Sequence, residues 1–128
     1  MPGRARGWRR GRSRRAVRIL EPALLLLLHR GPAHGYTLLE RLGEFGLADL
    51  SPSVVYRVLR EMEGCDWVTS TWDDEQTQGP PRRVYCITPT GSEVLGRCTQ
   101  DLEETRRMID YLLGMYSEHV EGDTGEYR

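Results

Sequence analysis

Arg57 and Arg60 stand in the run SPSVVYRVLREME (51–63), and a second pair, Arg82 and Arg83, follows Gly79-Pro80-Pro81. A guanidinium is a permanently charged, planar fork of donors. It grips phosphate, carboxylate or the O6/N7 edge of guanine, often through two hydrogen bonds at once. Ser53 and Tyr56 add hydroxyl groups of the kind that bind phosphate oxygens. This is chemistry for holding a polyanion, and the chain offers little for making or breaking bonds. It has no glycine-rich phosphate loop of the Walker or Rossmann type. His29, His34 and His119 fall in no nucleophile or metal-ligand pattern. No catalytic residue, metal or cofactor is expected.

The elements that position these groups follow from periodicity. Ser51 is a natural N-cap and Pro52 a preferred first helical residue. Val55, Val58, Leu59 and Met62 then form an apolar stripe, which at 100° per residue turns Ser53, Arg57 and Arg60 to the opposite face, with Tyr56 at the flank. Two short β-rich runs, 67–73 and 82–88, enclose the turn-forming DEQTQGPP, so a hairpin is expected. Closed about its middle, it pairs Val68 with Ile87 and Ser70 with Tyr85 on the core face. Trp72 then faces Arg83, which can stack on it. Upstream, Pro22 suits the first turn of a helix through His29, and Arg30-Gly31-Pro32 stops it. A second helix is expected from His34 or Gly35 to Phe45, with Leu38, Leu39, Leu42 and Phe45 on one face and Gly46 as its stop. Pro89 opens a long last helix to about Glu118. In it Leu95, Cys98, Leu102, Thr105, Ile109, Leu112 and Tyr116 recur at steps of three and four. About 28 residues of helix span about 40 Å, more than so small a body can cover, so a second copy of the chain is the expected partner.

The chain has 128 residues and a formal net charge of −1. That figure hides an asymmetry. Lysine is absent, and eight of the 18 basic residues (Arg4, Arg6, Arg9, Arg10, Arg12, Arg14, Arg15, Arg18) precede every acid. The remaining 110 residues carry ten arginines against nineteen acids, a balance of −9. Two readings of this arm stand: phosphate neutralisation, or a tail without a role. Five consecutive leucines, Leu24 to Leu28, are too few to cross a bilayer, and no export signal is legible, so the cytoplasm is expected. Cys65, Cys86 and Cys98 are 21 and 12 positions apart with no CxxC pair, which suits isolated thiols better than structural zinc. The divisions read from these patterns are an Arg-rich, disordered arm (1–16), a mainly α DNA-binding domain with a small β-hairpin (17–88), a dimerisation helix (89–118) and a frayed tail (119–128).

In their order and spacing, His34-Gly35-Tyr36, Ser51-Pro52-Ser53 with Tyr56-Arg57, Gly79-Pro80-Pro81-Arg82 with Tyr85, and Thr88 with Gly91 resemble the PadR family of bacterial transcription regulators over about residues 19–115, in its branch with one short C-terminal helix. The resemblance implies a winged helix-turn-helix and a homodimeric repressor on inverted-repeat DNA, released by a small, often aromatic effector. It implies Tyr36, Ser53, Tyr56 and Arg57 at the DNA face and Gly79 and Arg82 in the wing, and Ser51, the cap of the same helix, is expected beside them. Arg60 and Arg83 join them from the residue reading, with Arg57 or Arg60 reading guanine. The dimer interface is expected at Leu95, Cys98, Leu102, Ile109, Leu112 and Tyr116. Asp66 must take a turn position usually held by glycine, because the glycine here, Gly64, comes two residues early. Two alternatives remain: a thiol- or metal-responsive regulator using Cys65, Cys86 or Cys98, and a winged-helix protein-interaction module without an operator.

Overall fold

A computed structural model describes residues 18–73 and 82–123 of the chain. The arm at 1–17, the hairpin tip at 74–81 with Gly79, and residues 124–128 lie outside the described residues. In order, the elements are helix α1 (residues 18–29), strand β1 (Ala33–His34), helix α2 (Gly35–Arg41) running into a 3-10 turn (Leu42–Phe45), helix α3 (Pro52–Gly64), strands β2 (Val68–Asp73) and β3 (Arg82–Ile87), and helix α4 (Pro89–Asp123). The chain divides after Leu95 into two compact units.

The first unit is a winged helix-turn-helix. α1 supplies Leu20, Ala23, Leu24, Leu25, Leu27 and Leu28 to the core. It is already helical at Arg18, so Pro22 does not open it as expected. Burial of Leu20 in that earlier turn offsets the hydrogen bond that proline cannot make. Leu26 and His29 face out. In α2 the expected apolar face is cut short. Leu38 and Leu42 are buried and Leu39 partly so, but Phe45 is exposed. The tightening to 3-10 geometry at Leu42 changes the angle per residue and rotates Phe45 off the stripe.

α3 forms as its residues dictate. Ser51 Oγ accepts from Val54 N at 3.4 Å, Pro52 fills the first position, and Val55, Val58, Leu59 and Met62 are buried. The chain leaves α3 through Asp66 in the left-handed region (φ 63°), as the displaced glycine required. The hairpin register is the expected one: Val68 opposite Ile87, Ser70 opposite Tyr85, Trp72 opposite Arg83. β1 was not anticipated. Two residues carry no alternation, and they become a strand because β3 offers them a free edge, giving the antiparallel order β1-β3-β2.

Thr88 joins the hairpin to α4. Its amide donates to Trp67 O at 3.0 Å, and its hydroxyl donates to Asp66 O at 2.6 Å, with Trp67 O at 3.1 Å. The same hydroxyl accepts from Gly91 N at 2.9 Å, an N-cap of α4. A Cβ at Gly91 would overlap the Trp67 carbonyl and lie 2.8 Å from Ile87 Cγ1, which is why the turn carries glycine.

Leu95 is buried in this core. It is therefore a core residue of the first unit and not a free member of the α4 stripe. The second unit is α4 from Gly96 on. The helix continues to Asp123, past the expected end at Glu118, so residues 119–123 are helical and not a frayed tail. Met108, Ile109, Tyr111, Leu112, Leu113, Met115, Tyr116 and Val120 are 41–72 % exposed along it. No described helix is long and apolar enough to cross a membrane.

Candidate nucleic-acid interface

The exposed side of α3 carries Ser53, Arg57 and Arg60. Ser51 sits at its start, its hydroxyl occupied by capping and by Ser53 Oγ at 3.2 Å. Arg57 has only a loose neighbour, Glu61 Oε1 at 3.9 Å, with both side chains more than half exposed. Such a pair contributes a few tenths of a kcal/mol and leaves Arg57 available.

Beside α3 lies a cleft of about 880 Å³, lined by His34, Gly35 and Tyr36 from the β1–α2 junction, Tyr56 and Arg60 from α3, Trp72 from β2, and Arg82, Arg83 and Tyr85 from β3. Among the described residues, three guanidiniums and no carboxylate line it. Tyr36 and Trp72 are 63 % and 58 % exposed. Of the expected DNA-binding residues, the fold thus gathers Tyr36, Tyr56, Arg60, Arg82 and Arg83 around one recess. Ser51, Ser53 and Arg57 lie on α3 outside its lining.

Glycine at position 35 has a steric reason. A Cβ there would stand 2.7 Å from Tyr56 Cε1, so only a bare backbone lets the Tyr56 ring lie across the start of α2. His34 Nε2 meets Asp73 Oδ2 at 3.1 Å and ties the same junction to the end of β2. The carboxylate can only accept, so Nε2 holds the proton. Arg60 and Arg82 make no ion pair among the described residues.

Arg83 differs. Its NH1 donates to Ser70 Oγ at 3.0 Å and lies 3.7 Å from Glu63 Oε1, while Ser70 Oγ donates to Glu63 Oε2 at 2.7 Å. The guanidinium carbon sits 4.8 Å from the centroid of the Trp72 ring, the stacking expected from the register. Arg83, expected among the DNA contacts, lines the cleft while these protein groups engage its guanidinium. Burial raises the Tyr85 phenol above its ordinary value, with Arg83 pulling it down and Glu63 pushing it up, so it stays a protonated donor. In α1, burial and then the charge of Glu61 raise the Glu21 carboxyl.

Residues 24–97 match the transcriptional regulator PadR-like family. The chain belongs to that family. As a PadR-like protein it is a DNA-binding transcription regulator. Solved structures agree: a PadR-like transcriptional regulator from Bacillus cereus is 26 % identical with a TM-score of 0.65, covering 74 % of this chain and 91 % of its own. A conserved protein described as a potential transcriptional factor is 34 % identical (TM-score 0.68; 80 % and 90 % covered). A transcriptional regulator from Thermoplasma acidophilum is 29 % identical (0.66; 75 % and 91 %). Among curated proteins none matches the chain.

Sequence reasoning missed Asp73 and Glu63, and it had His34 only as a motif residue and Ser70 only as a strand residue, without their side-chain partners. Asp73 and Glu63 are ordinary acids alone, and neither stands at a spacing that marks it. Cys65, Cys86 and Cys98 form no disulfide, Cys65 being exposed and the others partly buried. No group of metal-binding side chains occurs among the described residues.

Proposed function

We propose that this PadR-like regulator is a cytoplasmic homodimeric repressor that binds an inverted-repeat operator and is released by a small effector. The observation that carries the reading is the arginine-lined recess beside α3, where Tyr36, Tyr56, Arg60 and Arg82 converge next to the exposed Arg57. In a body with a balance of −9, such a face concentrates attraction for phosphate that the rest of the surface repels. Arg57 or Arg60 reads a guanine edge from the major groove. Tyr36, Ser51, Ser53, Tyr56 and Arg82 fix register on the backbone.

The dimer reading draws on α4. The exposed apolar side chains between Met108 and Val120 spread over about 200° of the helix circumference at 100° per residue. A two-stranded seam needs less, so each α4 meets more than one helix of a second copy. Leu102, Ile109, Leu112 and Tyr116 lie in that contact, with Cys98 at its start. An effector that favours another dimer geometry lowers DNA affinity by its preference for that geometry. Met108, Tyr111, Met115 and Tyr116 offer it an adaptable, aromatic lining.

Footprinting on DNA upstream of the protein's own gene tests the reading. Two protected half-sites about one helical turn apart are expected, together with a dimer by sedimentation. Protection of no site, or a monomer at micromolar concentration, refutes it.

A further inference from the structure

Arg83 sits where a DNA contact is expected, yet its guanidinium is held on three sides by protein. Ser70 Oγ accepts from it at 3.0 Å, Glu63 Oε1 lies at 3.7 Å, and the Trp72 ring covers its face at 4.8 Å. Glu63 belongs to the last turn of the recognition helix, whereas Ser70, Trp72 and Arg83 belong to the two strands of the wing. A carboxylate close to a phosphate-binding face is a liability, since it repels the ligand. Glu63 has a purpose there only if its charge is directed at something else, and both its oxygens are: one accepts from Ser70, the other faces Arg83.

We propose that Arg83 and Glu63 form a clamp that fixes the angle of the wing against the recognition helix, and that Arg82, not Arg83, is the phosphate ligand of this strand. Arg83 is a positioning residue. This rests on the reading of α3 and the wing as the DNA interface. A planar, charged group is required at position 83, because lysine can neither stack flat on Trp72 nor serve two oxygens in a fixed fork. The pair is a third to a half exposed, so its effect lies in geometry more than in global stability. A wing released from the clamp must be ordered on binding, which lowers affinity, but its contacts in the complex are the same.

The test is a salt titration of binding to a duplex that the wild-type protein selects from a randomised pool. Arg82→Ala should shrink the slope of log K against log[salt] by about 1.8, at about 0.9 per phosphate in each of two protomers. Arg83→Ala, Arg83→Lys and Glu63→Gln should each weaken binding about tenfold with the slope unchanged. The double variant Glu63→Gln/Arg83→Ala should be no weaker than either single one, as for two halves of one unit. Unaltered thermal unfolding shows that the variants are folded. Glu63→Gln carries the decision, because removal of a negative charge strengthens DNA binding unless that charge holds the wing. Tighter binding by Glu63→Gln, or a slope lost in Arg83→Ala as in Arg82→Ala, overturns the clamp while leaving the interface standing. Selection of no duplex by the wild-type protein overturns the interface and the clamp with it.

Discussion

Replacing Gly91 by alanine adds one methyl group at the tightest point of the fold. The new Cβ would overlap the Trp67 carbonyl oxygen and stand 2.8 Å from Ile87 Cγ1. The oxygen cannot swing aside as a side chain would, since it accepts from Thr88 N at 3.0 Å and belongs to the turn set by Asp66. The start of α4 must therefore move away from the entrance to β2 by about an ångström to reach normal contact. Three hydrogen-bond contacts lie across that gap: Thr88 N to Trp67 O, Thr88 Oγ1 to Asp66 O, and Thr88 Oγ1 to Trp67 O. Overpacking costs about 1–3 kcal/mol, and each weakened hydrogen bond about 1 kcal/mol at most. The better helix propensity of alanine returns about 1 kcal/mol. The expected net loss is about 2–3 kcal/mol. With a urea m-value of about 1.5 kcal/mol/M, the midpoint falls by about 1.3–2 M. Gly96→Ala is the control: no atom lies within 4 Å of its added Cβ, so the same substitution five residues on should stabilise by about 0.5–1 kcal/mol. Both are read by urea unfolding at one protein concentration, because association into the proposed dimer would make apparent stability depend on it. A Gly91→Ala midpoint within 0.3 M of wild type, or equal shifts for the two variants, would refute the steric reasoning.

Gly35→Ala meets the far end of a side chain, Tyr56 Cε1 at 2.7 Å. The ring can turn away, so stability should fall by less than about 1 kcal/mol while affinity for the selected duplex drops several-fold in an anisotropy titration; a large stability loss with normal binding would contradict this. For Glu21, the folded-state pKa lies above the unfolded one, through burial and then Glu61. The protonated form is favoured in the fold, so its stabilising contribution is present at low pH and lost as pH rises through the folded pKa. Glu21→Gln should therefore stabilise at pH 7, with the gain over wild type vanishing below the ordinary glutamate value of 4.5; thermal melts across pH check it, and a gain that grows on acidification would reverse the sign. Deletion of residues 2–15 removes seven arginines and should reduce the salt slope of DNA binding. An unchanged slope removes the arm from the mechanism.

Local pattern carried much of this fold. The Ser51 cap, the Pro52 start and the Val55–Met62 stripe of α3 depend on neighbours within two helical turns, and all three stand as expected. So do the register of β2 on β3 and the left-handed Asp66, because alternation and turn chemistry act over a few residues. The local pattern misleads where packing intervenes. Phe45 shares the helical spacing of Leu42 but is turned out by the 3-10 turn. Leu95 shares the α4 period but belongs to the first core.

By itself the sequence determined a capped, arginine-faced helix followed by a hairpin in one register, since helical and strand periods are written in adjacent residues. Only the tertiary structure showed which arginine has partners among the described residues. Arg82 and Arg83 are neighbours of identical type, and what separates them is a carboxylate on another element and a hydroxyl 13 residues away. β1, the His34–Asp73 tie across 39 residues and the seat of Tyr56 over Gly35 are of the same kind. Their energies depend on distances of a few ångströms between elements, and no spacing along a chain encodes a distance that exists only once the elements have packed.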